Sequence, residues 1–133
     1  MGGDNWRTPP WLLELIFPDG VYFDPCEENP EGLRLSEGLT SAWPSHVPIF
    51  LNPPYSNPGP WLKKAAGHSG PVVCLVKSDH STEWYQRWAP FFRVVRIGQR
   101  LRFIDPGNPG ADGVANFPSE VWFKHWPRPN AAP

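Results

Sequence analysis

The chain has 133 residues, a formal net charge of −1, and 19 prolines and 12 glycines scattered between apolar runs. That length suits one hydrophobic core, the charge excludes a globally basic nucleic-acid-binding surface, and no apolar run approaches membrane-spanning length. Two cysteines, Cys26 and Cys74, sit in or beside apolar runs and the four histidines are isolated, so no metal-ligand spacing exists and the expectation is buried thiols in a cytoplasmic protein without a signal peptide.

In chain order, WRTPPWLLELIF (6–17) predicts a helix, with Thr8 as N-cap and proline in the first turn. Asp19-Gly20 is a turn. VYFDPC (21–26) predicts a short strand that stops at Asp24-Pro25. Residues 27–47 are polar, with room for a short helix near Pro30 and the segment LRL at 33–35. Pro48–Leu51 predicts a second strand. Pro60–Ala66 predicts a helix ended by Gly67, and PVVCLVK (71–77) has the continuous apolar character of a strand in a parallel sheet. Ser81-Thr82-Glu83 leads into a helix through Trp88. RVVRIG (93–98) and RLRFI (100–104) follow, then a Pro/Gly-rich loop over 105–118 and a last strand over Ser119–His125. Strands alternating with helices predict an α/β domain with a mainly parallel sheet and an antiparallel pair at one edge, formed by RLRFI and SEVWFKH. Residues 1–126 are expected to form the domain and 127–133 a frayed tail.

Charge is uneven along the chain. Residues 1–45 hold eight acids against two arginines, whereas 84–104 hold Arg87, Arg93, Arg96, Arg100 and Arg102 and no acid. The second cluster reads either as a solvated face or as a patch facing phosphates.

Ligands in open α/β sheets sit outside the carboxyl ends of strands. Two predicted strands end in distinctive groups there: Asp24-Pro25-Cys26 and Asn52-Pro53-Pro54-Tyr55. Four prolines between positions 53 and 60 forbid a helix or a central strand across LNPPYSNPGP. The Asn52 carboxamide oxygen accepts a hydrogen bond, the Pro53-Pro54 unit is rigid and presents carbonyls, and Tyr55 offers a flat aromatic face. Together they can take two N–H bonds from a planar amino group, as on adenine, cytosine or an amide, and stack on the ring that carries it. Accepting both bonds draws the nitrogen lone pair out of conjugation and makes it a better nucleophile toward an electrophilic methyl group. The bland alternative for the motif is a rigid turn closing a strand. For Asp24 it is a turn former before Pro25, and for Thr8 a plain N-cap.

DNWRTPPWLLELI (4–16), VYFDPCEENPE (21–31), EGLTSAW (37–43), IFLNPPYSNPGPWLKKA (49–65), VVCLVKSDHSTEWY (72–85), IGQRLRF (97–103) and FPSEVWF (117–123) occur in this order. With them the chain resembles the phage-type, Dam-like DNA N6-adenine methyltransferases. The resemblance implies a minimal Rossmann-like fold dependent on S-adenosylmethionine, acting in a bacterial or phage-infected cytoplasm. It implies a catalytic motif at Asn52, Pro53, Pro54 and Tyr55, and a first cofactor-binding strand end at Asp24, Pro25 and Cys26. Trp6, Thr8 and Pro9 match an element closing over the methionine part of the cofactor, and Glu37 sits where an acid can reach the adenosine. The usual glycine-rich loop is missing, since the next glycine after Asp24 is Gly32. Carboxylate binding is then expected to shift to Thr8 and neighbouring backbone.

Only residues 27–47 separate the first strand from the one before Asn52, enough for one helical crossover. That predicts a shallow, open cofactor site. DNA, duplex or single-stranded, is the expected partner, with no metal and no membrane. With no room for a separate recognition domain, sequence specificity is expected to be short or weak, or to come from a partner subunit; a homo-oligomer or a specificity partner is the corresponding expectation. Arg93, Arg96, Arg100 and Arg102 are candidates for phosphate contacts, Trp61 for lining the pocket and Lys77 for facing the same cleft. Trp11, Trp84 and Trp88 sit at helical spacing and read as core rather than as base platforms. The rival readings are the same chemistry on RNA or a protein amide, and a nucleic-acid-binding relative that has lost its cofactor.

Overall fold

The computed structural model describes residues 8–26, 36–98, 100–104, 112–114 and 117–126. Its elements are α1 (Pro10–Ile16), a 3₁₀ turn (Ser36–Leu39), β1 (Ile49–Leu51), α2 (Gly59–Gly67), β2 (Val72–Lys77), α3 (Glu83–Trp88), a second 3₁₀ turn (Ala89–Phe91), β3 (Arg93–Arg96), β4 (Arg102–Ile104), β5 (Asp112–Val114) and β6 (Ser119–Lys124).

The main sheet runs in the order β1-β2-β6-β3. β1 and β2 pair in parallel, with Leu51 opposite Cys74. The crossover between them is α2, as a parallel connection requires. β6 pairs antiparallel with both β2 and β3. The expectation of a mainly parallel sheet is therefore corrected: most pairings are antiparallel. Since β6 runs against both neighbours, β2 and β3 still point the same way. The reversal comes from one strand threaded between two that share a direction, and period-2 patterning cannot report that.

The antiparallel edge pair is corrected as well. β6 lies inside the sheet, and β4 pairs with β5 in a separate two-stranded sheet. β5 falls within the stretch read as a continuous loop over 105–118.

The predicted strand over 21–26 shrinks to one parallel bridge, Phe23 to Ile49. Phe23 N–H donates to Pro48 O at 2.8 Å, and Phe50 N–H donates to Phe23 O at 2.9 Å. Pairing stops there because the Asp24 carboxylate takes the Cys26 N–H at 2.9 Å and bends the chain, while Pro25 has no N–H to donate. The polar stretch 27–35 and the tail 127–133 lie outside the described residues.

Alternation along the strands divides the core into two layers. Ile49, Leu51, Val72, Cys74, Val76 and Trp122 point to one face, where Trp61, Leu62 and Ala65 of α2 meet them. Trp84, Tyr85 and Trp88 of α3 pack against the same cluster. Phe50, Val73, Leu75 and Val121 point to the other face, toward Leu12 of α1 and Phe17. β1 is buried on both faces. Each of its large side chains contributes roughly 1.5–3 kcal/mol by leaving water. Both cysteines are free and buried as expected, and burial pushes the Cys74 thiol pKa up, with the neighbouring Cys26 adding to the effect.

One buried polar cluster ties β6 to the segment after β2. Glu120 has no exposed surface. It accepts from Tyr85 Oη at 2.6 Å, His80 Nε2 at 2.7 Å and Trp122 Nε1 at 3.1 Å. Burial by itself would raise the Glu120 pKa, but the hydrogen bonds from Tyr85, His80, Trp122 and Ser78 outweigh it and hold the carboxyl below its ordinary value. Burial, together with the bond to Glu120, pushes the Tyr85 phenol up to about 12.

Two outcomes follow. Glu120→Ala leaves the buried Trp122 Nε1 and the half-buried Tyr85 hydroxyl without their acceptor and should lower the unfolding free energy by about 2–4 kcal/mol, read from urea midpoints. The lowered pKa means Glu120 stabilises the fold fully above its ordinary value of 4.5 and loses that contribution as pH falls toward the lower folded-state value. The stability gap between the wild type and Glu120→Gln should therefore narrow as pH drops below about 4.5.

Candidate active site at the carboxyl edge of the sheet

Parallel pairing brings three chain segments to one edge. Register places Phe23 beside Ile49 and Leu51 beside Cys74, so Asp24, Asn52 and Lys77 all follow or close parallel segments on the same side. Asn52 lies in the middle.

The Asn52 side-chain amide donates from Nδ2 to Thr8 Oγ1 at 3.1 Å. Of the two readings of Thr8, the N-cap is corrected: the residue capping α1 is Pro9, and no side chain caps that helix. Pro10 occupies the first helical position, where a missing N–H costs nothing. The Thr8 hydroxyl instead reaches a residue 44 positions away and sets which end of the Asn52 carboxamide turns away from it. Pro9, the next residue, is buried.

Beyond Asn52, Pro53 is buried and Tyr55 is half-buried. The Tyr55 ring meets Phe117 edge-on with centroids 5.2 Å apart. Lys77 Nζ lies 5.1 Å from the centre of the Tyr55 ring and 4.5 Å from that of Phe117. These cation–π contacts place a positive charge beside the aromatic face of the motif. Pro53, Tyr55, Val76, Lys77 and Trp84 line one small cavity.

On the opposite flank, Asp24 makes the turn to Cys26 described above. Pro25 and Cys26 are buried. Gly38 presses against the Pro25 carbonyl so closely that a β-carbon there would lie 1.9 Å from that oxygen and 2.9 Å from the Trp61 ring. Trp61 is only 5 % exposed and packs among the core residues of α2. Its placement is that of a core side chain, away from the clefts around Tyr55. The 3₁₀ turn that carries Glu37 and Gly38 is held by Lys64 of α2, which donates to the carbonyls of Leu39 at 2.9 Å, Gly38 at 3.3 Å and Ser41. Burial lowers the Lys64 pKa. Trp6 lies outside the described residues.

The arginines do not form one patch. Alternation along β3 sends Arg93 and Arg96 to opposite faces. Arg93 sits 4.9 Å over the Phe123 ring at the amino end of the sheet, opposite the edge that carries Asn52. Arg96 pairs in register with Glu120 near the carboxyl edge and is exposed. Arg100 is exposed, and Arg102 belongs to β4.

Two residues read as core have a second role. Trp84 and Trp88 of α3 are half-buried and line a cleft of about 550 Å³ that begins at Tyr55 and runs between α2 and α3, with Lys63 and Arg87 on its walls. Helical spacing alone cannot separate a core indole from one that closes the core on one side and faces a cleft on the other. The Pro58-Gly59-Pro60 turn, which starts α2 opposite α3, was the available signal.

As a donor set for S-adenosylmethionine, the edge offers an acid at Asp24 for the sulfonium and amine and a hydroxyl at Thr8 beside Asn52. These groups fit the cofactor's charges, although the described residues hold no glycine-rich turn. Among the described residues there is no cluster of side chains able to hold a metal ion. Likewise among them, no helix is long and apolar enough to cross a membrane.

The family model described as DNA N-6-adenine-methyltransferase (Dam) matches residues 1–130. A DNA N-6-adenine-methyltransferase of Haemophilus phage HP1 is 33 % identical over 95 residues, covering 62 % of this chain and 54 % of that protein. Another of the same description, from Escherichia phage T1, is 30 % identical over 95 residues, covering 62 % of this chain and 39 % of that protein. The chain thus spans about half the length of the first of these relatives and less of the second. With a match over nearly its whole length, the chain belongs to the Dam family of DNA N-6-adenine-methyltransferases.

Proposed function

We propose that the chain is an S-adenosylmethionine-dependent DNA methyltransferase acting on adenine N6, with Asn52-Pro53-Pro54-Tyr55 as its catalytic motif. The observation that carries this reading is the Asn52–Thr8 hydrogen bond at the end of β1, between the Asp24 turn on one side and the Lys77–Tyr55 pair on the other. We read the sheet as a reduced Rossmann-like one. The bridge at Phe23, β1, β2 and β3 share a direction, and β6 is the single reversal. Residues 1–126 would form the catalytic unit, working in the cytoplasm of an infected host on duplex or single-stranded DNA.

Bound S-adenosylmethionine supplies an electrophilic methyl group on sulfur. Every other part of the reaction falls to the chain's own groups. Asn52 Oδ1 and a carbonyl of the Pro53-Pro54 unit each accept one N–H of the exocyclic amine. This pulls the nitrogen toward tetrahedral geometry and aims its lone pair at the methyl carbon. Transfer would form the N–C bond as the S–C bond breaks, the sulfur leaving as a neutral thioether with that bond's electron pair; the amine would become cationic, and the two acceptor oxygens of the chain would stabilise that charge. A proton then leaves to water. No strong base is required, which fits an amide rather than a carboxylate at position 52. Thr8 holds the amide nitrogen, and so keeps the carboxamide oxygen on the side of the incoming amine. Tyr55 stacks on the base, and Lys77, seated over the same ring, orders it. Asp24 on the cofactor flank would face the positive sulfonium and amine, with Thr8 and Pro9 closing from the segment that leads into α1.

Asn52→Ala should reduce turnover by at least about 10²–10³-fold, the cost of losing one preorganised polar group at the reacting atom. Its circular dichroism and cofactor affinity by calorimetry should stay near wild type. Turnover at a near-normal rate would sink the mechanism. Thr8→Val removes the acceptor for Asn52 Nδ2 while keeping the shape of the side chain. It should lower kcat about tenfold, equivalent to one ordinary hydrogen bond, with a much smaller change in KM for DNA. A change confined to KM would show that Thr8 does not act through Asn52.

A further inference from the structure

α3 carries Trp84, Arg87 and Trp88 at i, i+3 and i+4, one stripe of a helix. That stripe forms a wall of the cleft of about 550 Å³ that begins at Tyr55. The volume lies within the range of pockets that take small-molecule ligands, about 300–1,000 Å³. Trp84 has one side on the core, 6.1 Å from Trp122, and contributes to the cleft as well. The Arg87 guanidinium lies 5.3 Å from the centre of the Trp88 ring. Its ion pair with Glu83 is long, 3.5 Å, and both side chains are largely exposed, so it ties Arg87 down only weakly. Lys63, exposed on α2, faces this stripe across the cleft. The floor is Pro58-Gly59-Pro60, which continues directly from the Asn52–Tyr55 motif.

Indole faces flanked by cations, in a groove continuous with Tyr55, match the chemistry of a nucleotide: a base to stack and a phosphate to neutralise. Taking a base out of a helix also leaves its neighbour without a stacking partner. We infer that the groove between α2 and α3 holds the nucleotide next to the target adenine on the same DNA strand, its base stacked on Trp88 and its phosphate taken by Arg87 and Lys63. This rests on the proposed DNA-methylating function. It goes further in naming a second site, on residues that take no part in the chemistry.

The test is fluorescence anisotropy with a labelled single-stranded oligonucleotide containing one adenine, and with the same oligonucleotide made abasic at the positions flanking that adenine. Trp88→Ala should raise Kd about tenfold on the intact strand, in line with the loss of one stacked base. It should have little effect on the abasic strand, and Trp88→Phe should restore most of the affinity. Arg87→Glu, at an exposed position and with its fold checked by circular dichroism, should weaken binding of both strands and flatten the salt dependence. Wild-type Kd values for Trp88→Ala and Arg87→Glu would overturn the inference. So would a Trp88→Ala deficit of equal size on the abasic strand, which marks a structural defect. The two proposals fail separately. If the wild type methylates DNA while both variants bind like it, the groove is wrong and the proposed function stands. If binding follows the expected pattern but no methyl is transferred, the function is wrong and the groove stands as a strand-binding surface.

Discussion

The pairing of β1 with a chain segment on each side governs the arrangement of the site. Because Phe23 meets Ile49 in parallel and Leu51 meets Cys74 in parallel, three segments reach one edge of the sheet in step. One carries an acid, one an amide on a proline-locked turn, and one a lysine. A one-residue slip in either pairing would send the buried side chains of β1 to the opposite faces, and both faces are filled. The hydrophobic core therefore enforces the register, and the register sets the spacing of the polar groups at the edge. Asn52 needs only one further constraint, the orientation of its carboxamide, and a residue at the start of α1 supplies it.

The far side of the sheet meets a different constraint. β6 enters against the direction of β2, and its first residues, Ser119 and Glu120, are buried beside Lys77 and Val76. Placing a carboxylate there is expensive unless every oxygen is satisfied. Donors from β6 itself, from α3 and from the β2–α3 connection meet that demand. The result is a polar clamp just behind the edge that carries Lys77. It holds α3, and with it Trp84 and Trp88, at a fixed distance from the Asn52 turn. Here an apolar core would pack as well but would not tie those three segments to one point.

Much of this was legible in the chain. Continuous apolar runs marked β1 and β2, the Thr82-Glu83 start marked α3, and the four prolines after Leu51 marked a rigid exit from a strand. What could not be read was pairing. SEVWFKH alternates as an edge strand would, yet it runs between β2 and β3, because alternation reports which faces a strand shows and not which neighbours it has. Asp112–Val114 is a strand in which two of three residues, Asp112 and Gly113, have weak strand character, so a Gly-rich stretch reads as loop. Thr8 followed by prolines looked like a cap. Its bond to Asn52 spans most of the first half of the chain, a contact no local pattern contains. Trp61 looked like a pocket residue because it follows the motif, but Gly38 leaves a space that the indole fills, and this needs three segments to be seen together.

The positive charge obeys the same geometry. Five arginines within 84–104 suggest a surface for phosphates, yet β3 divides Arg93 from Arg96 by alternation, and Arg93 lies over the Phe123 ring at the other end of the sheet. Among the described residues, two cations near the edge come with aromatic faces: Lys77 with Tyr55 and Phe117, Arg87 with Trp88. A chain of net charge −1 gains no net long-range attraction to a polyanion, so the proposed affinity for DNA would have to come from contact at short range. Stacking provides that, at about 1–3 kcal/mol per base, and it depends on salt far less than phosphate contacts do. An edge that sets Lys77 and Arg87 against rings could hold a few nucleotides without a basic surface, and that is the form of DNA binding the proposed function would require.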